Sequence, residues 1–297
     1  MTILWIATGL VLFILLVSFF GFYYIVHRNN ILSKQVPEKH ALYSDVIAFD
    51  KQKKAEWQIN TEDGLLLRAW YLPATQATDK TVIMATGYNS IRNRFFDIGW
   101  LFHSLGYNLL MPEMRGSTEA QGKWVGFGWL DKEDFKLWIA QVIQRNPKTE
   151  IALWGISMGG ATVMMLSGDE LPDNVKCFIE DCGYDSVWNE IKHQLHRFHL
   201  PSWPLLPLMS FWCRTIAGYS WQEASSVKQL TRNKRPFLFI HGEKDNFVPY
   251  AMLAKNRDAS QGITEELTVA AASHAKAYET DISAYRLAIQ KFLKNYL

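Results

Sequence analysis

The chain has 297 residues, of which 48% are hydrophobic and 20% charged, a globular composition that excludes an intrinsically disordered protein. Lys plus Arg is 31 and Asp plus Glu is 29, so the net charge of +2 gives no reason to expect nucleic acid or another polyanion as a partner. Three cysteines (Cys177, Cys182 and Cys213) are too few and odd in number for a disulfide framework, and they exclude a four-cysteine zinc site.

In chain order, the first element is an uncharged run from Ile3 to Val26, long enough as a helix to cross a hydrocarbon core of roughly 30 Å with some tilt. Trp5, Tyr23 and Tyr24 stand near its ends, where amphipathic rings favour the membrane interface. A cleaved signal peptide is the competing reading. No Lys or Arg precedes the run, and Phe19, Phe20, Phe22 and Tyr23 are too bulky for a cleavage site. The expected partner of residues 3–26 is therefore a lipid bilayer, with residues 1–27 as a single-pass anchor. Arg28, Lys34 and Lys39 follow the span, which leans the C-terminal bulk toward the cytoplasmic face. Residues 28–55 read as a polar juxtamembrane linker.

From residue 56 onward the pattern changes. Asp63-Gly64 between alternating segments predicts a hairpin of strands near 56–60 and 65–72. Apolar strands and helices then take turns. Strands are expected at 81–86, 107–112, 150–155, 175–181, 235–242 and 265–270, and helices at 91–106, 130–146, 157–168, from about Pro249, and over 277–296. In the second helix Phe135, Trp138, Ile139, Val142 and Ile143 keep helical spacing. Near-continuously apolar strands alternating with helices imply a mostly parallel sheet covered on both faces. Residues 186–234 carry no strand signal but hold Trp188, Trp203, Trp212 and Trp221 among prolines. They read as a helical cap inserted over the C-terminal edge of the sheet, where ligands bind in such folds. Its tryptophans would be cap core or the wall of an acyl pocket.

The sharpest local signal is Gly155-Ile156-Ser157-Met158-Gly159-Gly160, a G-x-S-x-G between a strand and a helix. A tight turn there pushes the Ser157 hydroxyl out of the sheet, and glycines let backbone approach closely around it. The Met158 amide, at a helix N-terminus, would face a developing oxyanion. A serine needs a base, and His274 in Ser273-His274-Ala275, after the last strand, holds the right place. The orienting acid should lie between them; Asp245 in HGEKDNFVP is favoured, with Glu243 and Asp181 as rivals. The loop Thr86-Gly87-Tyr88 would supply the second oxyanion donor, the Tyr88 amide.

These motifs, GISMGG, HGEKDNFVP and SHAKAY around a helical insertion, resemble the α/β-hydrolase superfamily and, within it, the serine aminopeptidase S33-like group of bacterial membrane-anchored hydrolases. Arg115, Gly116, Ser117, Gly128, Asp134, Trp138 and Ile139 are similar to that family's R-G-x-S…G…D…W-I region. The likeness spans about 56–297. It implies the α/β-hydrolase fold, a Ser157–Asp245–His274 triad, a cap over the site, and no metal or organic cofactor. Two places depart from the family pattern: Thr86-Gly87 stands for His-Gly, and Ser117 follows Gly116. The superfamily includes esterases, lipases, thioesterases and peptidases, so the substrate stays open between a small-molecule acyl compound and a peptide.

Other candidates weigh less. His193, His196 and His199 recur every three residues and drift around a helix, which suits a cap surface better than a metal site. Cys182 lacks a nearby His signal and reads as a small buried residue. A peptidase would need an acid for the substrate amine, for which Glu180, Asp181 or Asp185 qualify by type. A catalytically silent anchored binding protein is the third reading, against which all three triad residue types stand.

Overall fold

The computed structural model describes residues 1–27 and 36–297. It opens on helix α1 (Thr2–Val26), followed after the linker by α2 (Tyr43–Asp50) and the hairpin β1 (Ala55–Asn60) and β2 (Leu66–Leu72). Gly64 takes φ +85° in the hairpin turn, a conformation that suits glycine and explains the Asp-Gly signal. The alternating section begins with β3 (Lys80–Ala85), a short 3₁₀ turn and α3 (Phe96–Ser104). It continues through β4 (Asn108–Pro112), α4 (Asp131–Arg145), β5 (Glu150–Ile156), α5 (Met158–Ser167) and β6 (Val175–Asp181). The cap holds α6 (Val187–Arg197), α7 (Leu205–Trp212), a π-helical turn (Cys213–Ala217) and α8 (Ser226–Leu230). The chain closes with β7 (Phe237–Gly242), α9 (Ala251–Ala259), β8 (Thr264–Val269), α10 (Ala277–Thr280) and α11 (Ile282–Tyr296).

The eight strands form one sheet in the order β1-β2-β4-β3-β5-β6-β7-β8. β2 is antiparallel to both of its neighbours, and all pairs from β4 to β8 are parallel. Strand alternation divides the core in two. Ile83, Leu153 and Phe178 face one cluster with Trp138 and Met164 of α4 and α5, while Met84, Trp154 and Ile179 face another with Phe102 of α3 and Phe292 of α11. Both faces are covered, as parallel strands require.

The segment read as a linker does more than connect. Residues 28–35 lie outside the described part of it. Within the rest, α2 packs on α3 through Leu42, Val46 and Phe49, all buried, and the Phe49 ring approaches Gly99 so closely that a Cβ there would meet it at 2.8 Å. Scattered apolar positions hid a one-sided helix. The first helix is likewise part of the core at its C-terminal end. Phe22 and Val26 are fully buried, the Val125 amide donates to Val26 O at 2.8 Å, and Trp212 of α7 donates to Ser18 Oγ at 3.1 Å.

One buried ion cluster ties the hairpin to the sheet. Arg115, just past β4, grips Asp134 of α4 with two hydrogen bonds of 2.7 and 2.6 Å and reaches Asp63 in the hairpin turn at 2.9 Å. Burial opposes the guanidinium charge, but these carboxylates outweigh it and push its pKa further up. Arg115→Ala would leave Asp134 buried without its partner. A loss of about 3–5 kcal/mol is expected, read as a lower midpoint in urea unfolding. Arg115→Lys should recover only part of it, because an ammonium cannot make the bidentate fork.

Candidate active site

The site grows from the β5–α5 turn. Ser157 holds φ 55° and ψ −117°, a strained backbone for a residue with a side chain. The turn is that tight because nothing separates its strands of backbone. A Cβ on Gly155 would stand 2.1 Å from Gly159 O, and one on Gly159 would stand 2.0 Å from Ala85 O. The Ser157 amide donates to Asp181 O at 2.8 Å, fastening the turn to β6. The hydroxyl thus points past the C-terminal ends of β3, β5 and β6.

His274 reaches it from the loop between β8 and α10. Ser157 Oγ lies 2.9 Å from His274 Nε2, and His274 Nδ1 lies 2.7 Å from Asp245 Oδ2. Asp245, in the loop after β7, is held hard. Its Oδ1 accepts from the amides of Phe247 and Val248, each at 2.9 Å. A second imidazole, His241 at the end of β7, stands 3.3 Å from Oδ2 and 3.0 Å from Val248 O. Burial works against the Asp245 charge, but hydrogen bonds with His241 and His274 outweigh it and bring the carboxyl down to about 2. It is therefore an anion at any pH where the imidazole matters.

The rival acids fall elsewhere. Glu243 is exposed to solvent. Asp181 is buried and borders the cavity, but makes no hydrogen bond to His274. Burial raises it to about 6, against a hydrogen bond with Tyr285 and the nearby His241. Tyr88 lies in the cavity wall with Gly87, whose missing Cβ would stand 3.6 Å from Ser157 Cβ. Met158 opens α5 directly behind the serine, so its amide has no acceptor within the helix. The Tyr88 hydroxyl donates to Ile25 O at 2.8 Å, which joins this loop to the last turn of α1.

A cavity of about 630 Å³ opens on Ser157 and His274. Its walls are Val36, Tyr88, Phe95, Ile98, Phe247 and Tyr278, with His40, Arg94 and Glu279 as polar members. None of the four cap tryptophans borders it. Trp221 is fully buried and Trp212 is committed to α1, so of the two readings of the cap tryptophans these two follow packing, and the aromatic wall comes from Tyr88 and Phe95 after β3, Phe247 after β7 and Tyr278 of α10. The cap does abut the acid loop: His193 Nε2 lies 3.1 Å from Asn246 O, and Gln194 donates to Phe247 O. His196 turns to Ser202 Oγ instead, so the three histidines do not converge. Among the described residues, the group of donors close enough to hold a metal ion is Cys182, Asp245 and His274. Its Asp–His edge is taken up by a direct hydrogen bond, and burial holds the Cys182 thiol protonated. Glu180 turns inward to the Gly183 amide, and Asp185 is bonded by Asn189 and Lys255 away from the cavity. Of the acids proposed for a substrate amine, only Asp181 reaches the cavity.

Sequence reading missed His241 and the contribution of 36–40. The first had a signal: His241 precedes Asp245 by four residues in the same motif. The second had none, since the chain returns to the site only through tertiary packing.

Several buried acids make stability depend on pH. Burial raises Asp97 and Asp181 to about 6, Asp131, helped by the Asp134 charge, to about 7, and Glu190 to about 8. Each keeps in the fold a proton that the unfolded chain gives up near its ordinary value of 3.8, or 4.5 for Glu190. The penalty is absent below that value and grows as pH rises through 6 to 8. Asp245 runs the other way, its contribution being present above 3.8 and lost as pH falls through about 2. The melting temperature should therefore drop between about pH 5 and about pH 8. A rise in calorimetry over that interval would mean these carboxyls are hydrated.

Comparison with known proteins agrees with this architecture. Residues 80–203 match the α/β-hydrolase fold family. The uncharacterised protein YqkD of Bacillus subtilis (strain 168) is 25% identical over 269 residues, 90% of this chain and 87% of its own. The esterase Pf2001 of Pyrococcus furiosus superposes with a TM-score of 0.69 at 19% identity, over 92% of this chain and 98% of the esterase. An acylaminoacyl peptidase of Pyrococcus horikoshii gives a TM-score of 0.62 at 16% identity, over 84% of this chain and 42% of the peptidase. At such identities the likeness to the solved structures is one of fold.

Proposed function

We propose that this chain, which has the α/β-hydrolase fold and matches that family over residues 80–203, is a membrane-anchored serine hydrolase that cleaves an ester or related acyl bond through an acyl-enzyme. The observation that carries this reading is the unbroken line from Ser157 Oγ to His274 Nε2 at 2.9 Å and from His274 Nδ1 to Asp245 Oδ2 at 2.7 Å. His274 takes the hydroxyl proton as Ser157 attacks the acyl carbon, and returns it to the leaving group. Asp245 fixes the ring and balances the imidazolium. The amides of Tyr88 and Met158 face the oxyanion. Water then repeats the sequence to release the acid. A largely apolar cavity of about 630 Å³ suits a hydrophobic acyl or aromatic group.

The anchor reading is supported by the burial of Phe22 and Val26 and by the bond from Trp212 to Ser18. Cleavage after the helix would strip those side chains from the core. The basic residues that follow the helix favour the cytoplasmic face for the hydrolase domain.

The test is labelling of the full chain with a fluorophosphonate, alongside turnover of p-nitrophenyl esters and aminoacyl anilides. Labelling at Ser157 with ester turnover supports the proposal. Faster turnover of the anilides would shift the bond to a peptide and give Asp181 a part in holding the amine. Folded protein that neither labels nor turns over either substrate would leave an anchored binding protein.

A further inference from the structure

The cap carries a second apolar stretch. From Phe198 to Trp221 the only Lys, Arg, Asp or Glu is Arg214. Outside α1, the described residues expose few large apolar side chains. Phe198, Leu200, Trp203, Phe211 and Ile216 account for most of them, and all five lie in this stretch. Such clustering on a soluble surface marks a contact with something apolar.

The position of α7 on α1 says what that is. Trp212 donates to Ser18 Oγ, and Met209 fills the space beside Gly21, where its Cε lies 3.0 Å from the position a Cβ would take. The two helices therefore run antiparallel, with the π-helical turn after α7 heading toward the N-terminal part of α1. Tyr23 and Tyr24 mark the interfacial end of the apolar helix. At 1.5 Å per residue, Ser18 and its partner Trp212 lie roughly 8 Å beyond that plane, on the hydrocarbon side, and Ile216 roughly 5 Å deeper. On α1 itself, Leu16 and Phe20 remain 57% and 65% exposed at these levels, so nothing protein covers that side. At the other end Trp203, 78% exposed, precedes α7 and returns to about the level of the tyrosines, where an indole ring favours the interface.

We propose that the cap is itself a membrane-docking element: α7 and the following π-helical turn enter one leaflet beside α1, with Phe211 and Ile216 among the acyl chains and Trp203 at the interface. This rests on the reading of α1 as a membrane helix. The polar groups of the element are compatible with it. Its backbone is helical and internally bonded. The Thr215 hydroxyl donates back to the carbonyls of Phe211 and Trp212, and Arg214, exposed on a long stem, can reach up to lipid phosphates. Because Tyr88 of the cavity wall bonds Ile25 O near the same plane, the site would sit just above the headgroups.

The native cysteines are all buried, so a fluorophore on an introduced cysteine reports alone. Phe211→Cys, Ile216→Cys, Val11→Cys on α1 and Leu287→Cys on α11 would each be labelled with bimane in the full chain. The proteins are then placed in vesicles of phosphatidylethanolamine and phosphatidylglycerol in equal parts. Quenching by aqueous iodide should be several-fold weaker at positions 211 and 216 than at 287, and quenching by acyl-chain doxyl lipid as strong as at 11. Iodide quenching at 211 and 216 equal to that at 287, with position 11 in lipid, overturns the docking and keeps the anchor. Protection from both quenchers at 211 and 216 means a protein contact and overturns it too. Iodide access at 11 removes the anchor reading and the docking together. Either cap position decides the matter if the other variant fails to fold.

Discussion

Replacement of Ser157 by alanine is expected to lower kcat on a p-nitrophenyl ester by about 10⁵- to 10⁶-fold. The loss is large because no other group can take over the attack. Cys182, whose sulfur lies within 4.8 Å of the His274 and Asp245 ligand atoms, is kept as a thiol by burial. Among the described residues no imidazole bonds the Ser90 hydroxyl in the cavity wall, which turns to Tyr88 O. Water attacking directly would keep only what the oxyanion amides and the cavity supply. His274→Ala should cost about as much, and the double variant hardly more, since either loss already ends the proton relay. Alanine keeps a Cβ at φ 55°, so the strain of the turn stays and the melting temperature should move little. That separates lost chemistry from lost folding. Fluorophosphonate labelling must disappear with Ser157→Ala; a persisting adduct at the wild-type rate would place the nucleophile elsewhere.

The parts of the fold that a reader can extract from the chain are those with a local physical cause. Asp63-Gly64 marks a turn because glycine accepts φ +85°, and Ser157 is marked by flanking glycines because backbone carbonyls lie where a Cβ would go. His274 and Asp245 are found from chain order, since each follows a strand whose C-terminal end meets the same edge. What stays hidden is set by distant packing. Phe22 and Val26 belong to an uncharged run that reads as membrane throughout, yet they are core residues because α7 and the loop at Val125 happen to meet them. Tyr88 is chosen from its loop for a backbone amide, and nothing local shows that its hydroxyl holds Ile25. Arg115 and Asp134 can be picked out by family likeness, but their pairing, and the reach to Asp63, needs the sheet to be assembled first.

Asp245→Asn is the second large effect, and the geometry fixes how it works. Oδ1 accepts from the Phe247 and Val248 amides, so the asparagine must keep its oxygen there. An NH₂ group turned toward two amide donors would leave both unpaired in a buried place. The new NH₂ therefore occupies the Oδ2 position, 2.7 Å from His274 Nδ1. A donor there forces Nδ1 to accept and moves the ring proton to Nε2, which faces Ser157 Oγ. The base then has no lone pair to offer. A fall in kcat of about 10⁴-fold is expected, with fluorophosphonate labelling slowed in parallel and the fold kept. His241 does not rescue the relay: it contacts the same oxygen position, and its Nε2 also faces Val248 O. Asp181, the rival at the end of β6, also borders the cavity but does not bond the imidazole. Asp181→Asn alone should therefore change kcat far less than Asp245→Asn. If the two losses came out equal, or Asp245→Asn cost less than about tenfold, the orienting charge would belong to β6 and not to the loop after β7.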